Sequence, residues 1–429
     1  MSLGLYISVP FCRTKCTYCN FASDVFSQAV FDRYLHRVCR DLERAQILAE
    51  TAGGHFENTV DSAYLGGGTP TLLDSHQLQH LFVTIGQNFC LLPGAEVTVE
   101  CAPGTLSDRT IETLVKIGVN RVSLGVQSFL DLEAASVGRL HKRETVLEEI
   151  AKLRRAGLSN VNVDLIAGLP HQTAESWEYS LTEAIAAGVP HVSVYMLEVD
   201  QDSRLGRELL AGGTRYHAHF VPDDDLTADL YLEACERLNA DGIVQYEISN
   251  FARPGYESKH NLKYWTRQPY FGVGVDAHSM LRAGNATGDL ESVRLATSDS
   301  LEQYVATAAY ELTPVSRHAA LEEAFFLGLR LNRGVDLDRL RTVFGPDSVA
   351  RFDEVINELL SLELLKREDL RLRLTPRGRL LSNEVFEKFL SGKPQATQVS
   401  SSRISKHSRK LSSNIEALET PETLKLLKH

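Results

Sequence analysis

A chain of 429 residues, 43% hydrophobic and 24% charged, is long enough for two or three domains with sizeable cores. Its net charge of −11 argues against nucleic acid as a main ligand, while leaving room for a local basic patch. No apolar run approaches the ~20 residues that cross a bilayer, no basic, apolar leader opens the chain, and seven cysteines are too sparse and odd a set for a disulfide framework.

The expectation is therefore a cytoplasmic protein in a reducing compartment, with peripheral membrane association still compatible. Apolar, β-rich segments recur at Leu5–Val9, Ser62–Leu65, Glu96–Glu100, Arg121–Val126, Asn160–Ile166 and His191–Leu197. Helical patterns lie between them, at Asp24–Glu50, Ser75–Phe89, Ser107–Ile117, Lys142–Ala156 and Ala174–Ala187. Such alternation predicts an α/β fold with a parallel sheet. Parallel strands buried on both faces should be continuously apolar, as Val192–Leu197 nearly is. Six units in about 200 residues predict an incomplete (β/α)6 barrel, since a closed barrel of eight takes ~250.

After Leu281 the pattern changes. Ser300–Leu312, Leu321–Leu331, Leu337–Val343 and Ser348–Leu362 read as helices, and Leu364–Leu374 as a hairpin around Glu368-Asp369. That order suggests a small winged-helix-like module. From Ser391 the chain is rich in Ser and Lys and has no Phe, Tyr or Trp, which predicts disorder, with a short amphipathic helix at Asn414–Lys428. The expected domains are 1–285, 300–390 and a disordered tail at 391–429.

The first predicted strand runs into Cys12-x3-Cys16-x2-Cys19. Three thiolates packed so tightly suit a soft, multi-iron centre, and three ligands leave one iron of a [4Fe–4S] cube open to a small molecule. A zinc site lacking its fourth ligand, or three small buried residues, are the plainer readings. Cys39, Cys90, Cys101 and Cys235 lie singly in helical or strand patterns and read as core residues.

Other polar groups gather at predicted strand ends, where parallel barrels place their active sites. Gly66-Gly67-Gly68-Thr69-Pro70 follows the second strand, and glycines there let the backbone approach a ligand closely. Glu100, Gln127 and Asp164 end or punctuate the third, fourth and fifth strands. A carboxylate in an apolar strand is expensive unless paired, so these residues are either satisfied structural groups or ligand contacts. Arg139, in Gly138-Arg139-Leu140-His141, suits a carboxylate partner.

The cysteine spacing after a first strand resembles the radical S-adenosylmethionine (SAM) superfamily. Taken together, Ile7–Phe21, Gly66–Pro70, Glu100–Gly104, Gly125–Phe129, Gly138–His141 and Asp164–Pro170 resemble its oxygen-independent coproporphyrinogen III oxidase-like family, over about residues 4–385. The resemblance implies that Cys12, Cys16 and Cys19 hold the cluster. It implies SAM contacts from Tyr6, Tyr18, Gly67, Gly68, Thr69, Glu100, Gln127, Arg139 and Asp164. In that superfamily SAM chelates the open iron, and an electron from the cluster cleaves its sulfonium.

Two departures separate this chain from the decarboxylating members. Its cysteine loop begins after 11 residues, and Phe21 stands where those members carry a fourth cysteine. Both match the haem-chaperone branch, as does His260-Asn261-Leu262-Lys263-Tyr264-Trp265, similar to a motif tied to haem binding there. By residue chemistry, His260 offers an axial imidazole, while Tyr264 and Trp265 offer flat apolar faces to a macrocycle. The plainer reading has His260 and Asn261 bonding a loop and Trp265 packing a core. His278 is a second candidate read as structural, and His217-x-His219 reads as a solvated helix face.

The resemblance thus implies a haem chaperone with cluster, SAM and haem, an acceptor haem protein and an electron donor. Rival readings are a coproporphyrinogen-decarboxylating enzyme, a radical methyltransferase, and a plain haem-binding module with a vestigial cluster site.

Overall fold

The computed structural model describes residues 2–201, 203–284, 289–307 and 309–390; the tail at 391–429 and its expected helix Asn414–Lys428 lie outside the described residues. Six strands, β1 (Leu3–Val9), β2 (Thr59–Gly67), β3 (Cys90–Cys101), β4 (Arg121–Gln127), β5 (Val161–Ala167) and β6 (His191–Met196), stand side by side in chain order. Every neighbouring pair is parallel, so the expected incomplete barrel forms. Intervening helices start on local signals: Asp74 and Gln77 form a capping box at Ser75–Asn88, and Thr173 caps Ala174–Ala186.

Both edges of the barrel carry strands that the sequence pattern did not reveal. Beyond β6 lie the short β7 (Val244–Gln245) and β8 (Asn250–Ala252), with β8 antiparallel to β6. Beyond β1 lies β9 (Tyr270–Val273), parallel to it. The antiparallel strands β10 (His278–Arg282), β11 (Leu290–Ala296) and β12 (Glu311–Ser316) follow, completing a 12-stranded sheet. The expected helix Ser300–Leu312 is thus only Leu301–Ala306, and its end turns into β12. Likewise the expected helix Asp24–Glu50 begins at Gln28 and breaks at Arg44.

The strands depart from continuous apolarity in an instructive way. Leu3, Leu5, Ile7 and Val9 of β1 belong to the helix-covered core, as do Val161, Val163, Leu165 and Ala167 of β5. The alternate residues face inward and are polar: Ser8 on β1, Ser62 on β2, Glu96, Thr98 and Glu100 on β3, Ser123 on β4, Asn162 and Asp164 on β5, His191 and Ser193 on β6. Hydrogen bonds satisfy much of this interior. Asn162 Nδ2 reaches Ser123, Asp164 and Ser193, and Asn162 Oδ1 lies 2.6 Å from His191 Nδ1. The barrel therefore encloses a polar interior instead of a second apolar core.

Residues from Arg317 build a separate core around Phe325, Phe326, Phe352, Phe386 and Phe389. The helix Arg317–Arg330 is followed by five shorter helices and a small antiparallel sheet of β13 (Val335–Asp336), β14 (Leu365–Glu368) and β15 (Arg371–Leu374), ordered β13-β15-β14. The hairpin turns at Asp369, whose φ is 54°, as its sequence suggested. Trp265 reaches this core from the barrel side, with the Arg330 guanidinium 4.2 Å from its ring centroid.

Candidate functional site

The cysteines lie on the loop that follows β1. Cys12 N–H donates to Asp24 O and Asp24 N–H to Pro10 O, both at 3.0 Å, which closes the loop at its base. Phe11 anchors that base, stacked 3.8 Å from Phe31. Three hydrogen bonds pin the tip. Thr17 N–H donates to Val137 O at 3.2 Å, Thr14 Oγ1 to Gly138 O at 3.1 Å, and Leu205 N–H to Thr17 O at 2.9 Å. Cys16 is buried; Cys12 and Cys19 are half-buried. Burial pushes the Cys12 and Cys19 thiols up, and the Cys16 sulfur beside them adds to this.

Thiols crowded in this way ionise readily only beside a cation. Among the described residues, no three His, Cys, Asp or Glu side chains converge on a single ion. A [4Fe–4S] cube places each thiolate on a different iron, so it does not need that convergence. Thr17 Oγ1 in the same loop is buried with no hydrogen-bond partner, and the Ser23 hydroxyl faces the Cys12 thiol. The donor set and its surroundings fit a multi-iron group better than one zinc ion.

The glycine loop fastens β2 to this structure. Gly68 N–H donates to Val9 O at 2.9 Å and Thr69 N–H to Phe11 O at 2.7 Å, while Gly67 N–H donates to Glu100 Oε2 at 3.1 Å. All three N–H groups are thus spent within the protein, which leaves carbonyls and close backbone approach for a ligand. A Cβ on Gly68 would lie 2.7 Å from the carbonyls of Val9 and Phe11, so only glycine fits there. Gly67, at φ 97°, adds a left-handed turn within reach of Tyr6 Oη.

Glu100 accepts from Tyr64 Oη at 2.7 Å as well as from Gly67. Burial raises its carboxyl to about 7, and Asp164 adds to this; Tyr64, Gly67 and Arg139 pull the other way. Asp164 is raised by burial too, against hydrogen bonds from Ser193, Asn162 and Ser123. Gln127 is buried, has φ 69°, and follows a register shift between β4 and β5. Its amide and the Arg139 guanidinium meet above Gly125, where a Cβ would lie 3.1 and 3.2 Å from them. Arg139 donates to Tyr18 Oη at 3.3 Å, and its Nε is buried with no partner. The structure therefore gathers Tyr6, Tyr18, Gly67–Thr69, Glu100, Gln127, Arg139 and Asp164 at the strand ends beside the cysteine loop. Tyr64, Ser123 and Asn162 belong to the same interior; the signal for them was polarity at every second strand position.

The block at 260–265 lies deeper, and meets this group through Tyr6 and Tyr64, whose ring centroids are 6.2 and 5.3 Å from that of His260. The helix Lys259–Trp265 closes the opposite end of the interior, with its N-terminal N–H groups on Glu96: Lys259 N–H and His260 N–H each donate to that carboxylate at 3.1 Å. His260 is 1% exposed. Its Nδ1 lies 3.1 Å from Ser62 Oγ and its Nε2 2.9 Å from Tyr264 Oη. The expected axial imidazole is therefore enclosed, with both nitrogens engaged, because the polar barrel floor takes up its hydrogen bonds. Asn261 is half-buried, its N–H bonded to Ser258 Oγ, and Trp265 packs in the second core. His278 sits in β10, 3.8 Å from Asp276. His217 and His219 are not on a regular helix face: Tyr216 and His217 have φ 55° and 59°.

Comparison with known proteins adds the following. Residues 6–184 match the radical SAM superfamily, and residues 315–381 match the HemN C-terminal domain. A "Heme chaperone HemW" of Lactococcus lactis is 32% identical over 90% of this chain and 96% of its own length. One of Bacillus subtilis is 34% identical, over 90% and 98%. The solved coproporphyrinogen III oxidase (HemN) of Escherichia coli, a radical SAM enzyme, superposes with a TM-score of 0.77 at 24% identity, covering 91% of this chain and 90% of that one; this likeness speaks to the fold.

Proposed function

The chain belongs to the heme chaperone HemW family within the radical SAM superfamily, and from that premise we propose that it holds a [4Fe–4S] cluster and SAM at the strand-end rim, binds haem and passes it to an acceptor protein. The observation that carries this reading is the single rim shared by the cysteine loop, the Gly67–Thr69 turn and the four polar groups Glu100, Gln127, Arg139 and Asp164. Bound there, the cluster supplies an open iron for SAM's amino and carboxylate groups and an electron for its sulfonium.

Cys12, Cys16 and Cys19 would hold the cluster. Arg139 would direct its unpartnered Nε at a carboxylate. Glu100 and Asp164 would accept from ammonium or ribose donors, the Gln127 amide would bond an adenosine edge or donate to a carboxylate, and Tyr6 and Tyr18 would line the cavity. Phe21 in place of a further cysteine favours the chaperone over a decarboxylating enzyme. No described helix is long and apolar enough to cross a membrane, and we place the protein in the cytoplasm with a separate electron donor.

A pH profile tests the SAM contacts. Glu100, raised to about 7, contributes most to the fold below the ordinary carboxylate range and loses that contribution as pH rises through about 7. Its ionised form is a buried cost that cationic SAM offsets. SAM affinity, measured by calorimetry on cluster-loaded protein, is expected to fall as pH drops from about 8 to about 6. Glu100→Gln should flatten that profile; an unchanged slope in the variant would remove Glu100 from the contact set.

The function itself is tested with anaerobically reconstituted protein, SAM, reductant and haem. Haem should bind at about one per chain and appear on an added apo-acceptor, while coproporphyrinogen III stays unconverted. Robust formation of the divinyl product would make the protein an enzyme of porphyrin synthesis instead.

A further inference from the structure

We propose that His171 and His217, with the rings of Tyr216 and Phe220, form the docking site for haem on the rim beside the cysteine loop. The site rests on the haem-chaperone reading above and adds where the cargo is held. His171 follows β5 by four residues, on the turn after Gly168. His217 lies on the irregular segment Arg215–Phe220. Their rings meet edge to face at the surface, His171 half-buried and His217 exposed, with His171 Nε2 2.9 Å from His217 Nδ1. Phe220 lies between His171 and His219, 4.0 Å from each ring centroid.

Three observations set this cluster apart from ordinary surface histidines. His171, Tyr216 and His217 all take left-handed backbone, at φ 70°, 55° and 59°; non-glycine residues held there cluster at binding sites. The His171 N–H donates to Phe220 O at 3.0 Å, which joins the two segments, while the imidazole pair itself, bonded at the surface, gains little over water. Phe220 and Tyr216 also stay 47% and 38% exposed, which leaves flat apolar rings beside the imidazoles, as a porphyrin face requires.

Chemistry selects haem over a bare ion. No three His, Cys, Asp or Glu side chains among the described residues converge on one metal position, whereas haem iron needs only an axial imidazole. Partial burial and the neighbouring His217 and His219 hold His171 below the usual histidine range, which favours the neutral, ligating form. Among the described residues, Nδ1 of His171 and Nε2 of His217 have no protein partner.

The position is continuous with the rim. Leu169, two residues before His171, is buried in a small cluster with Val137 and Ile166, against which Tyr18 and Leu197 pack. The helix Arg204–Leu210, which leads to the histidine segment, is tied to the cysteine loop through Leu205 N–H and Thr17 O. Asn20 Nδ2 donates to Asp200 Oδ2 at 2.5 Å in the same junction. Haem held here lies on the surface that the helix Arg204–Leu210 joins to the cysteine loop, whereas His260 is enclosed in the interior against Tyr6 and Tyr64.

The full chain is titrated with haemin and followed by its Soret band and by haem dissociation to an apo-myoglobin trap. The double variant His171→Ala/His217→Ala should shift the band and speed dissociation at least about tenfold. His171→Gln/His217→Gln, which keeps polarity and size at these positions, should do the same. His260→Ala should retain the wild-type band. Unchanged spectra and rates in both double variants, with loss in His260→Ala, would overturn this site and leave the haem-chaperone reading standing. Wild-type haem binding no tighter than to an unrelated control protein would overturn both.

Discussion

Cys16→Ala is expected to lose most cluster iron and its visible absorbance after anaerobic reconstitution. Cys16 is the buried member of the triad, at 9% exposure, between Cys12 and Cys19. Its backbone carbonyl accepts from Cys19 N–H at 3.3 Å, and its Cα would lie 3.8 Å from a Cβ on Gly138. The thiol therefore sits at the inner face of the loop, where water cannot readily replace it as a ligand. Removing it leaves two thiolates and exposes an iron to hydrolysis and oxygen. Cys39→Ala is the matched control, because Cys39 is equally buried but lies in the helix Gln28–Glu43, away from the rim. Iron content by chemical analysis decides the matter; full retention in the Cys16 variant would remove the triad as the cluster site.

The second large effect is structural. Glu247 is fully buried and binds Arg330 at 3.3 Å, while its other oxygen accepts from Ser249 N–H and Asn250 Nδ2. Arg330 in turn covers Trp265. This chain of contacts ties β8, the helix Lys259–Trp265 and the helix Arg317–Arg330 together. Glu247→Ala strands a buried guanidinium and is expected to lower the unfolding free energy by about 3–5 kcal/mol. The double variant Glu247→Leu/Arg330→Met should recover much of that loss, because both charges are gone. Urea unfolding of the three proteins checks this. A loss under about 1 kcal/mol in the single variant would show that water screens the pair.

Much of the barrel was legible because its signals are local. Strand and helix periods, the caps at Asp74 and Thr173, and the glycine turn after β2 are set by residues a few positions apart. The strands of the second half were not. β7 and β8 span two and three residues, too short for a period, and β12 exists because β11 offers it an antiparallel edge. The expected helix over Ser300–Leu312 loses its second half to that pairing, a long-range term that no window of sequence contains. The polar interior was visible residue by residue, as Asn162 with Asp164 and His191 with Ser193, yet its meaning depended on which face the strands turn inward.

By itself the sequence determined the donor set: three thiols at a spacing suited to iron–sulfur ligation, and a polar residue at the end of each of three buried strands. Their chemistry and their order along the chain follow from residue type and period alone. The tertiary structure decided which groups meet and which are shut away. It placed the cysteine loop, Glu100, Gln127, Arg139 and Asp164 on one rim, and it spent the glycine-loop N–H groups on β1, the cysteine loop and Glu100. His260 was enclosed while His171 and His217, 46 positions apart, were brought to hydrogen-bonding distance at the surface. The physical reason is that burial and pairing across the sheet, unlike helix and strand periods, depend on residues tens to hundreds of positions away.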